Sequence, residues 1–229
     1  MTRFPKFFST DSAKAIKAEK YGWLNAINYM APHTTGGAGN LCPDSSAGCR
    51  ALCLGMYSGQ AAMVADLENG TNAVRQSRIA KAQFFMTERL SFMAEMEQHI
   101  RAMIRKADRE SKKLAVRPNG STDIAFEYIR GYNGQTLPQQ FPEIQFVDYT
   151  KSMKRMLEAM HVLANRKNVA VVFGHGQPET FMGHRVIDGT EHDLRHLDKQ
   201  PVIVGLDPKG KKAKADTSGF VVHDYGAGC

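Results

Sequence analysis

The chain has 229 residues, 42% of them hydrophobic, with 30 Lys plus Arg against 23 Asp plus Glu and a net charge of +7. That composition excludes a disordered chain, and no apolar run approaches the roughly 18 residues of a bilayer-spanning helix. A single domain over residues 1–229 is expected, and the positive excess favours a polyanionic partner, of which nucleic acid is the commonest.

The opening stretch MTRFPKFFSTDSAKAIKAEK lacks the apolar segment of a signal peptide, so a cytoplasmic location is expected. KYGWLNAINYMA (residues 20–31) reads as a strand leading into the glycine-rich loop PHTTGGAGN. LCPDSSAGCRALCLG follows, with Cys42, Cys49 and Cys53 spaced C-x6-C-x3-C in a metal loop expected at about 33–55. A reducing compartment disfavours a disulfide framework, and a loop has the freedom to wrap an ion. Soft thiolates select zinc, or alternatively a four-iron four-sulfur cluster, over magnesium or calcium. His33 is the preferred fourth ligand, and Cys229 is the other option. The competing reading is three small packed thiols.

From Gly59 to about Asp108 the pattern is helical, with an interruption at Asn69-Gly70. Phe84, Phe85, Leu90, Phe92, Met93, Met96, Ile100, Met103 and Ile104 recur at three- and four-residue spacing. That stripe predicts a long helix packed on the core. After residue 113, LAVRPNGSTD, EIQFVDYTK, NVAVVFGHG, HRVIDGTE, PVIVGLDPKG and SGFVVHD read as strands. An amphipathic helix over 151–168 separates two of them. Alternating strand and helix predicts an α/β fold: a (βα) barrel or partial barrel with a long helical segment after the first strand, an open doubly wound sheet being the alternative.

Polar residues follow several of these strands, where α/β folds place their active sites. They are Asp123, Asp148 with Lys151, His175, Asp188, and Asp207 with Lys209. Two carboxylates in one pocket can divide the work of nucleophile and general acid or base, although Asp also caps helices and makes turns. His192 and His196 in HDLRH are a weaker metal pair that also reads as a surface turn. KGKKAKAD (209–216) is either a phosphate-contacting or a solvated loop. No P-loop or dinucleotide fingerprint is present.

Taken together, CPDSSAGCRALCLG, V-x-x-S-R-x-A-K-A-x-F (74–84), RPNGSTDIAFE, FVDYTK, NVAVVF, VIDGTEHDLR and VIVGLDPKG…DTSGFVV resemble an uncharacterised bacteriophage family. Members read close to CP-x5-C-x3-CL, R-L-N-G-T-S-D-I, Y-D-Y-T-K, D-G-D-x-x-D-L-R and V-G-L-x-A-K-G. Here Pro118 replaces Leu and Thr190 replaces the second Asp of D-G-D. The chain is also similar to barrel enzymes of phage DNA modification, which implies guanine/deazaguanine base exchange in the host cytoplasm, with DNA and a free base as substrates. That resemblance implies that Asp148 or Asp123 is the nucleophile, with the other as general acid or base and Lys151 beside them. Tyr149, Phe126 and Arg117 would receive a flipped base, Asn119 would contact the nucleic acid beside them, and Lys209, Lys211, Lys212 and Lys214 would meet the phosphates. The zinc cysteines of such transglycosylases lie late in the chain, whereas these lie early. An iron–sulfur enzyme with a radical-type barrel is the alternative, since its three-cysteine loop follows the first strand. A metal-stabilised binding module, such as an inhibitor of a host nucleic-acid enzyme, is the third reading.

Overall fold

The computed structural model describes residues 3–45, 49–50, 53–57, 59–152, 154–155, 158, 168–173, 180–181 and 184–185. A two-residue strand β1 (Phe8–Ser9) and a helix α1 (Ala13–Glu19), capped by the Ser12 side chain, precede β2 (Trp23–Asn28). After the cysteine loop come a single turn α2 (Leu54–Tyr57) and a 3-10 turn at Gly59–Ala62, then α3 (Ala73–Thr87) and α4 (Arg89–Arg109). The Asn72 side chain caps α3, and Glu88, with φ −135, breaks the expected long helix in two. Then follow β3 (Lys113–Arg117), a 3-10 turn at Phe126–Tyr128, the short α5 (Leu137–Gln140), β4 (Gln145–Thr150) and β5 (Val169–Phe173). A separate two-stranded ladder joins β6 (Thr180–Phe181) to β7 (His184–Arg185).

The main sheet runs β1-β2-β3-β4-β5, with β2 to β5 parallel and β1 antiparallel at one edge. Leu24 lies opposite Leu114, Val116 opposite Phe146, and Phe146 opposite Val169. This corrects the barrel expectation. Among the described residues no ladder joins β5 to β1, so the sheet is open and its two edges are separate strands. Alternation of strand and helix is a local pattern, whereas closure depends on a pairing between the first and last strands that no local pattern encodes.

Side chains alternate across the sheet, and one face carries the core. Leu24, Ala26, Leu114, Val116 and Phe146 pack there with Phe84 and Phe85 of α3 and with Phe92, Met93, Met96 and Ile100 of α4. Phe92 sits at the centre of an aromatic cluster, its ring centroid 5.1 Å from Phe7, 5.2 Å from Phe85 and 5.8 Å from Phe84. Met103 and Ile104 are partly buried against the same core. Leu90 departs from the predicted stripe and is 46% exposed. It lies two positions before Phe92, about 200° around the helix, and therefore faces away from the sheet. Of the helix expected over 151–168 only residues 151, 152, 154, 155, 158 and 168 are described, with 154, 155 and 158 helical, and the segment after Arg185 lies outside the described residues. Truncation of Phe92 to Ala should cost about 3–5 kcal/mol in urea unfolding, while Leu90→Ala should stay within about 0.5 kcal/mol of the parent.

Candidate functional site at the carboxyl edge of the parallel sheet

Because β2, β3 and β4 run the same way, the loops that leave them meet at one edge. Gly120 makes this possible: a β-carbon there would lie 2.6 Å from the Asn28 carbonyl oxygen and 2.6 Å from the Tyr29 ring. The Gly120 amide donates to Asn28 O at 2.7 Å, and the buried Ser121 hydroxyl donates to Met30 O at 2.6 Å. The Asp123 amide donates to Leu41 O at 2.8 Å, and the Lys151 amide to Asp123 Oδ2 at 2.7 Å. Thus the NGSTD loop after β3 holds the cysteine loop on one side and the end of β4 on the other.

His33, Cys42, Cys49 and Cys53 line one cavity of about 180 Å³, together with Pro32, Thr35, Ser45, Arg50, Met56 and Tyr57. The Cys42 thiol accepts from the His33 amide at 3.3 Å and points to Ser121 O at 3.7 Å. Burial pushes it up to about 12, and burial also raises the Cys53 thiol. Cys42 and Cys53 are free thiols, whereas Cys49 is disulfide-bonded. Among the described residues no three His, Cys, Asp or Glu side chains stand close enough to hold a metal ion as placed. A bound cation would have to displace the thiol protons, which makes uptake pH-dependent and proton-releasing.

A second constellation centres on Arg155, whose side chain is 5% exposed. Its guanidinium donates to Glu127 Oε1 at 2.8 Å and Oε2 at 2.7 Å, to Asp123 Oδ1 at 2.8 Å and to Asp148 Oδ2 at 2.7 Å. Asp148 Oδ2 also accepts from the Asn119 amide, and Oδ1 accepts from the Tyr149 amide at 2.9 Å. Burial outweighs the ion pair at Asp148 and pushes its carboxyl up to about 6, while the three carboxylates hold Arg155 above its ordinary range.

A family model, Gene product 88, matches residues 6–224. The chain belongs to the Gene product 88 family. This is a phage family, as the motifs suggested, and the match carries no link to transglycosylases. No curated protein and no solved structure matches the chain.

In this Gene product 88 chain the two predicted catalytic aspartates do meet, on one guanidinium. Both lie in a cluster where all four of their oxygens already accept hydrogen bonds. Asp148 shares the helix-facing side of β4 with Phe146, while Tyr149 points to the opposite face. The Lys151 side chain, Tyr149 and Asp123 line a small recess with Cys42 and Cys49. Arg117 stacks on Tyr149 at 4.5 Å, its Nε bound to Asn119 O at 2.7 Å. Asn119 is buried, and its amide is spent on Ile124, Thr122 and Asp148, so it has no atom to offer a base. Lys209, Lys211, Lys212 and Lys214, with His175, Asp188, His192, His196, Asp207 and Cys229, lie outside the described residues.

Sequence reasoning missed the cations that organise the site. Arg155 fell within the amphipathic helix expected over 151–168 with no role assigned, and the signal for it was the number of acids at strand ends that needed a counter-charge. Arg75, Arg78 and Lys81 recur every three residues on α3, all with their heads on acceptors. Arg75 donates to the carbonyls of Met56, Ala61, Leu67 and Gly70. Arg78 binds the Gly55 carbonyl and covers the Tyr29 ring, and Lys81 reaches Phe7 O at 3.1 Å and Asn28 Oδ1 at 3.3 Å. Burial, with Arg78 nearby, lowers Lys81 to about 7.

Arg155→Met should destabilise the fold by roughly 3–5 kcal/mol in chemical denaturation, because it leaves buried carboxylates uncompensated. Asp148 makes a separate contribution that depends on pH. Its folded value near 6 lies above the ordinary 3.8, so between those values the folded state holds more protons than the unfolded one. Stability from this group is present below about pH 4 and is lost as pH rises through 6. Relative to Asp148→Asn, the parent should therefore lose on the order of 2 kcal/mol between pH 4 and pH 7 in paired urea titrations.

Proposed function

We propose that this protein is an iron–sulfur enzyme, its cluster held by Cys42, Cys49 and Cys53 at the carboxyl edge of the parallel sheet. The observation that carries the reading is the single cavity that these three cysteines and His33 line, directly after the first parallel strand. A structural zinc site closes four ligands tightly around one small ion. Here the same side chains surround about 180 Å³, and no three of them close on one ion as placed, so uptake would require the loop to draw in around the group. When bound, such a cluster supplies one-electron chemistry or an iron site for a ligand. The chain's own residues would hold it with thiolates and present it where parallel α/β sheets bind substrates. The net charge of +7 supports nucleic acid as the substrate class.

Cys49 enters this reading through its disulfide: a dithiol must first deliver two electrons and two protons, converting the bond to two thiols and itself becoming the oxidised disulfide. The test is anaerobic reconstitution of the full chain with ferrous iron, sulfide and a dithiol. A coloured protein with about four irons per chain is expected, with loss of colour in Cys42→Ala and Cys53→Ala. A colourless protein with stoichiometric zinc, or one that takes up no metal, overturns the reading.

Base exchange is the second reading, and the observation in its favour is that Asp123 and Asp148 share one guanidinium. The same ion pairs weigh against it, since a nucleophilic carboxylate would have to leave Arg155. Transfer of labelled guanine or deazaguanine into DNA, abolished in Asp148→Asn, would establish base exchange instead.

A further inference from the structure

We propose that the Arg117 guanidinium, held flat against the Tyr149 ring, binds a phosphate group at the carboxyl edge of the parallel sheet. This goes beyond the iron–sulfur reading and uses none of its cysteines. The observation that carries it is a donor without an acceptor: Arg117 is 7% exposed, and its Nη2 has no hydrogen-bond partner among the described residues. Native proteins leave few buried donors unpaired, and a charged one is the costliest kind to leave so. The neighbouring buried guanidinia differ. Arg155 spends every nitrogen on carboxylates, and Arg75 spends every nitrogen on backbone carbonyls.

The surroundings of Arg117 define the missing acceptor. It closes β3 opposite Ile27 of β2, and alternation along the strand puts it on the sheet face opposite the core helices, which it shares with Tyr149. Its Cζ lies 4.5 Å from the Tyr149 ring centroid, and its Nε donates to Asn119 O at 2.7 Å. Stacked on one side and tied at Nε, the guanidinium keeps its plane, and Nη1 with Nη2 forms the edge that matches two oxygens of one phosphate. Asp148 feels the Arg117 charge but does not use this donor. Its Oδ2 is taken by Arg155 and the Asn119 amide, and its Oδ1 by the Tyr149 backbone. Parallel sheets receive ligands here, beyond the carboxyl ends of their strands. Entry is by way of Tyr149, which is half-buried and borders a recess with Thr122, Asp123 and Lys151. The net charge of +7 favours a phosphate-bearing polyanion over a lone carboxylate.

Inorganic phosphate and a short fluorescein-labelled single strand of DNA are the probes, each titrated into the full chain at constant ionic strength with chloride as the control anion. Wild type should bind phosphate saturably. Arg117→Lys keeps the charge and loses the planar fork, and it should weaken binding about 10–100-fold. Tyr149→Ala removes the stacked ring and should weaken binding about 2–30-fold. Arg117-dependent binding of the strand makes a nucleic-acid backbone the source of the phosphate; Arg117-dependent binding of phosphate alone makes it a free phosphate or a mononucleotide. Neither probe bound by wild type overturns the inference. Binding undiminished in folded Arg117→Lys also overturns it, and where that variant does not fold, binding undiminished in Tyr149→Ala does so. Iron loading enters none of these readouts, so failure of the cluster and failure of this site are distinguishable.

Discussion

The Arg155 guanidinium is the point through which the carboxyl edge of the sheet is assembled. It joins Asp123 of the loop after β3, Glu127 of the following 3-10 turn and Asp148 of β4, and Asp123 in turn receives the Lys151 amide and lends its own amide to Leu41 beside the first cysteine. A buried ion cluster of this kind adds little net stability, since desolvation offsets much of the attraction, but it tolerates no missing partner. What it supplies is position. The three parallel strands would pack their apolar faces with or without it; their trailing loops would have no reason to meet at one geometry.

A second set of cations acts on the other side of the cysteine loop. Arg75, Arg78 and Lys81 fall three residues apart on α3, so they run down one face of it, and their acceptors run from the end of β2 through Gly55 to Gly70. The chain leaving the cysteines is therefore tied back to the helix that follows it. These bonds run mostly to backbone carbonyls, which any sequence provides, so the pattern S-R-x-A-K fixes the helix end of the arrangement. Arg78 also lies close enough to Cys53 to favour its thiolate, against the burial that raises it.

This division explains what could be read in the sequence and what could not. β2, β3, β4 and the Phe and Met stripe of α4 were legible because burial on a regular element imposes a period, and the stripe failed only at Leu90, where the period itself points outward. That His33 and the three cysteines lie together was legible because they are close in sequence. Arg155 and Arg75 were not. A buried cation has the same letter as a solvated one, and its partners lie 7 to 32 residues away for Arg155 and 5 to 19 for Arg75, with no spacing rule. The surroundings of Asp123 and Asp148 were illegible for the same reason: both were singled out at strand ends, but the counter-ion they share was invisible. Sheet closure failed on different grounds, being a property of the two strands farthest apart in the chain.

The placement of the two buried charge clusters also bears on how the cysteine loop keeps its shape. Burial raises the Cys42 and Cys53 thiols, and Cys49 is held in a disulfide. Within the loop Arg50 binds the Ser45 carbonyl and the Leu41 amide binds the His33 carbonyl, and groups outside it add to these. The NGSTD loop does so from one side through Ser121, Gly120 and Asp123, and α3 from the other through Arg75 and Arg78. Apart from the Cys42 thiol against Ser121 O, these contacts run through the backbone. The cavity that the cysteines line is therefore shaped from both sides by groups whose own side chains do not line it.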